Sequence, residues 1–94
     1  MSLREDISTL KALVSLATNY PPDDYPPGLG TFEDHMADLT ETWAKVKVKS
    51  TNIEAIQYYE GEMVKMIERY RQGDKRGGQA SAHALYNFDL STLK

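Results

Sequence analysis

His35 and Asp38 stand three residues apart. On a helix that spacing puts an imidazole and a carboxylate on neighbouring turns of adjacent faces. Such a pair can share a metal ion, but a stable site needs three or four ligands. The other acids of the same segment point further round, so no metal site is assigned. His35 reads instead as a histidine on the border of an apolar face. His83 has no companion and is assigned nothing.

Glu60 is the second residue out of place. Helical spacing sets it among Ile53, Ile56 and Ile67, on an apolar arc. A carboxylate buried there would have a raised pKa and could act as a catalytic acid. The plainer reading gives it a partner: a tyrosine hydroxyl, His35 or a lysine at the edge of the fold. One carboxylate is not an acid/base pair, so no catalytic residue is assigned.

Tyr58, Lys65, Arg69 and Arg71 form a third group, extended by Lys75 and Arg76. An exposed aromatic ring between cations could stack on a nucleobase. Yet Glu54 and Glu62 interleave with these bases, as on an ordinary solvated helix face. The chain as a whole carries a net charge of −3. A nucleic-acid partner is therefore not expected, and weak nucleic-acid binding through residues 65–76 is kept as an alternative.

Other chemistry is missing. Cysteine is absent, which removes thiolate nucleophiles, thiolate metal ligands and disulfides. Gly73, Gly77 and Gly78 follow a helical segment rather than precede one, so they do not read as a phosphate loop. No cofactor is expected. An enzyme is not the favoured class, although a small helical enzyme or metal-binding protein remains a further alternative.

The elements that must position these residues are helical. Leu3, Ile7, Leu10, Val14 and Ala17 recur at spacings of four and three, one helical face, and Leu13, Leu16 and Tyr20 widen it. A face that wide needs two neighbours. Ser2 and Glu5 have the spacing of a capping box. The segment from Tyr20 to Gly30 repeats Tyr-Pro-Pro and is expected to be extended, because proline removes an amide donor and biases the preceding residue away from helix.

Thr31 and Asp34 can cap a second helix carrying Phe32, Met36, Leu39, Trp43 and Val46. Its far end, Val46-Lys-Val-Lys, alternates and could turn extended. Thr51 and Glu54 have capping-box spacing for a third helix, with Gly73 as its stop. Gly61 inside that helix suggests a close approach by a neighbour. Its expected buried arc includes Ile53, Ile56, Tyr59, Met63, Met66, Ile67 and Tyr70.

The expectation is an all-α fold: an antiparallel bundle of three long helices at about 3–19, 32–48 and 52–72. Residues 73–80 read as a hydrophilic linker. The tail, 81–94, is expected as a short fourth helix, capped by Ser81, or as an extended arm. With 94 residues, one domain spanning 1–94 is expected. No apolar run approaches the ~18 residues of a membrane span, and a cytoplasmic location is expected.

Charge is uneven. Residues 1–44 carry two bases against eight acids, and residues 45–94 carry nine bases against six acids. That asymmetry suits complementary packing within the chain or between copies. Leu85, Tyr86, Phe88 and Leu90 in the tail, with Tyr58, Lys65, Arg69 and Arg71, are the candidate contact residues. The function expected is a small non-catalytic protein–protein interaction or regulatory protein. It is expected to self-associate, as a dimer, or to hold a protein partner.

Overall fold

The computed structural model describes residues 3–20, 25, 28 and 30–93. Ser2 and the four prolines at 21, 22, 26 and 27 lie outside the described residues, with the readings that rest on them. The described chain is all-helical and contains no strand.

The first helix, α1 (Leu3–Asn19), buries Ile7, Leu10, Val14 and Ala17, one face at spacings of three and four. The second, α2 (Phe32–Lys49), starts on a capping box. Thr31 Oγ1 accepts from the Asp34 amide at 3.1 Å, and Asp34 Oδ2 accepts from the Thr31 amide at 3.4 Å. The alternating end of α2 does not turn extended. It stays helical because the Lys49 ammonium reaches back to Asp6 at 2.9 Å and the Ser50 amide donates to Val46 O at 3.0 Å.

The third helix, α3 (Ile53–Arg71), is capped by Asn52 and not by Thr51. Tertiary structure decides this. Asn52 Oδ1 accepts from the Ala55 amide at 3.1 Å while Nδ2 donates to Thr92 O at 3.2 Å. One carboxamide thus caps the helix and holds the end of the chain. At the other terminus Gly73 adopts φ +82°. Its amide bonds Tyr70 O and the Asp74 amide bonds Arg69 O, a Schellman closure.

Residues 73–80 are not a linker. The fourth helix, α4 (Lys75–Asn87), begins at once, and its cap is Asp74, whose Oδ1 accepts from the Gly77 amide at 2.9 Å. Ser81 is a buried residue inside α4 and caps nothing. Gly78 is required by packing, since a Cβ there would come within 2.4 Å of Tyr70 Cδ1. Gly61 shows the reverse: a Cβ there would meet nothing within 4 Å, so no neighbour approaches it.

The tail is neither an arm nor free. After α4 it closes in a 3-10 turn at Leu90–Leu93. Leu85, Leu90 and Leu93 join the core formed by Leu10, Val14, Leu39, Tyr59 and Met66. The helices α3 and α4 pack closely, as do α1 with α2 and α1 with α4. Thus α1 has the two neighbours its wide face needs. The backbones of α2 and α3 lie further apart and are joined through side chains, chiefly Trp43 stacked on Tyr59 at 4.7 Å.

Candidate interaction surface

His35 is buried and both of its ring nitrogens are taken. Nε2 lies 2.8 Å from the Leu13 carbonyl oxygen, which can only accept, so Nε2 carries the proton. Nδ1 then accepts from the Tyr25 hydroxyl. Burial holds the imidazole below its ordinary pKa, against the opposing pull of the Leu13 carbonyl and of Asp38. The ring is therefore a neutral tie between α1, α2 and their connection, with no lone pair left for a metal. Among the described residues no three His, Asp or Glu side chains converge.

Tyr25 packs against Tyr20, Phe32 and His35, and Phe32 meets Tyr70 edge-on at 5.8 Å. Desolvation pushes the Tyr25 and Tyr70 hydroxyls up to about 12. Tyr70 donates to Ala17 O at 2.6 Å, locking the end of α3 to the end of α1. The Tyr-Pro-Pro repeat reads as a stiff helix connection with its tyrosines lying on the bundle, and Tyr25 does pack there, but its bond to His35, ten residues on, is not legible in the sequence. The only signal for Tyr25 is aromatic content next to proline.

Glu60 is not buried. It stands at the α2 edge of α3, partly exposed, and accepts from Lys47 Nζ at 2.7 Å and from Trp43 Nε1 at 3.1 Å. The Lys47 hydrogen bond first, then that from Trp43, holds its pKa below the ordinary carboxylate value. The raised-pKa acid is thereby corrected: an ionised carboxylate fastens the Trp43 indole, and the lysine reading stands. Asp6 is the buried acid, paired with Lys49 and held below its ordinary pKa chiefly by that hydrogen bond. Its Oδ1, Ser50 Oγ and Tyr59 Oη find no hydrogen-bond partner among the described residues.

The basic group does not assemble into one patch. Arg69 turns inward and donates to Ser81 Oγ at 2.9 Å. Arg71 forks onto Glu33, with contacts of 2.6 and 3.3 Å. Lys65 lies 3.5 Å from Glu62. Tyr58 stacks on Phe88 at 5.5 Å. In the tail Leu85 and Leu90 are core residues, and Tyr86 lies under the Lys11 ammonium at 5.3 Å from the ring centre.

Tyr58 and Tyr86 are exposed, and further outward apolar side chains lie on α2 and α3. Val48 is 83% exposed, Ile53 68% and Val64 49%. Ile56 and Ile67 are only partly covered. The arc expected to be buried on α3 is thus open along its α2 edge, because the two backbones stand apart. A groove results, lined by Met36, Ala37, Thr40 and Ala44 of α2 and by Ile67 of α3. The Glu33–Arg71 pair stands at its wall, and Lys47–Glu60 spans the same two helices. Compared with known protein families, curated proteins and solved structures, the chain matches none.

Proposed function

We propose that the chain is a non-catalytic protein–protein interaction protein that associates with a second copy of itself. The observation that carries this reading is the exposure of Val48 on α2 and of Ile53 and Val64 on α3, three large aliphatic side chains left in water. The polar residues that could have done chemistry support it too. His35, Glu60, Arg69 and Arg71 are each spent on intrachain partners. With both arginines so engaged, the nucleic-acid alternative draws no support from this surface.

The architecture proposed is an antiparallel bundle. Glu33 at the start of α2 pairs with Arg71 at the end of α3, while Lys47 near the end of α2 pairs with Glu60 in the first half of α3. Such cross-pairing suits helices that run in opposite directions. A cytoplasmic location belongs to the same proposal and rests on the lack of cysteine. Among the described residues no helix is long and apolar enough to cross a membrane.

Sedimentation equilibrium over a range of concentrations tests the reading. A mass rising from one chain to two supports it. A single-chain mass throughout overturns it.

A further inference from the structure

The outer face of α2 has a charge order that is its own complement. Ala37, Glu41, Ala44 and Val48 recur at spacings of four, three and four and are all exposed. Beside them run Asp34, Asp38 and Lys45, also exposed. Along this face Asp34 and Asp38 lie in the first half of α2, Glu41 at its middle and Lys45 in its second half, while Glu33, Lys47 and Lys49 are held by Arg71, Glu60 and Asp6. A helix with this order repels a parallel copy and attracts an antiparallel one.

We infer that the second copy docks on this face, α2 against α2, about a two-fold axis near Glu41. This rests on the self-association proposed above and names its surface. The register that sets Ala37 opposite Ala44 of the second copy brings Lys45 between Asp34 and Asp38 of that copy. Small side chains at the crossing let the backbones approach. Val48 is covered at each end of the seam, and because Ala37, Glu41 and Ala44 also line the α2–α3 groove, the second copy lies along the α2 wall of that groove. A two-fold contact is isologous, so each contact of Lys45 with Asp34 and Asp38 is made twice, against a single opposition of the two Glu41 carboxylates at the axis. The intrachain Glu41–Lys45 contact, at 3.9 Å and well exposed, holds Lys45 only weakly and leaves it available.

The test is the dimer dissociation constant by sedimentation equilibrium, with circular dichroism to confirm that each variant is helical. All substitutions fall on exposed positions. Lys45→Glu sets like charges opposite one another twice and should weaken the dimer by about tenfold or more. Asp38→Lys should do the same. The double variant Asp38→Lys/Lys45→Glu restores opposite charges and should recover most of the affinity, an outcome general destabilisation would not give. Val48→Asp should weaken the dimer as well. If all four variants dimerise as the parent does, this surface is wrong while self-association stands. Weakening without recovery in the double variant overturns the antiparallel register. A parent chain that stays monomeric overturns both the surface and the reading beneath it.

Discussion

Gly78 lies against the ring of Tyr70, at a distance where a Cβ would come within 2.4 Å of Cδ1. The ring cannot easily give way, because Tyr70 is buried and its hydroxyl is bonded to Ala17 O. Gly78→Ala is expected to destabilise the fold by about 1–3 kcal/mol through overpacking, although alanine favours a helix by about 1 kcal/mol over glycine. Gly61→Ala, with open space around it, should stabilise by about 0.5–1 kcal/mol. Urea unfolding of both at one protein concentration checks the pair, and two shifts of the same sign would contradict the packing described.

His35 should make stability fall on mild acidification. Its folded pKa lies below the ordinary 6.5. On lowering the pH, the unfolded chain therefore takes up this proton first. The contribution of the neutral ring is complete above about pH 6.5 and is lost as pH falls from there through the folded value. Tyr25→Phe removes the donor to Nδ1 and should cost about 1 kcal/mol at neutral pH. In His35→Phe the loss between pH 7 and pH 5 should shrink. Thermal melts across that range show whether it does.

Asp6 governs the lower limb. Its pKa is depressed from the ordinary 3.8, chiefly by the Lys49 hydrogen bond. The stability it contributes is present above about pH 4 and disappears as pH falls through the lower folded value. Lys49→Met leaves the buried carboxylate without its cation, so acid unfolding should begin at higher pH than in the parent. Helicity followed by circular dichroism from neutral to acid pH reads the midpoint. An unchanged midpoint would mean that the ion pair carries no weight.

Leu93 is fully buried, two residues after Ser91 at the close of the chain. Leu93→Ala should cost about 2–4 kcal/mol, the ordinary effect of a core cavity. A residue of a dispensable arm would cost almost nothing, so denaturant unfolding separates the two.

Much of this molecule follows from the amino-acid order alone. The apolar spacing of α1 and α2, the Thr31–Asp34 box and the glycine stop at Gly73 are local features. Each depends on residues within about one helical turn, and such signals survive any tertiary arrangement. What the order could not decide depends on distance across the fold. Asn52 outcompetes Thr51 as a cap because Thr92, forty residues on, holds its other end. Gly77 and Gly78 read as a linker until the fold sets the ring of Tyr70 against Gly78 and the Asp74 carboxylate against Gly77. Glu60 and the isoleucines beside it share one helical arc, yet Ile53 ends in water and Glu60 is half-buried against Trp43 and Lys47, because the backbone of α2 stands off from α3. Periodicity states which face of a helix is apolar. Only the placement of the neighbouring helix states how much of that face is covered.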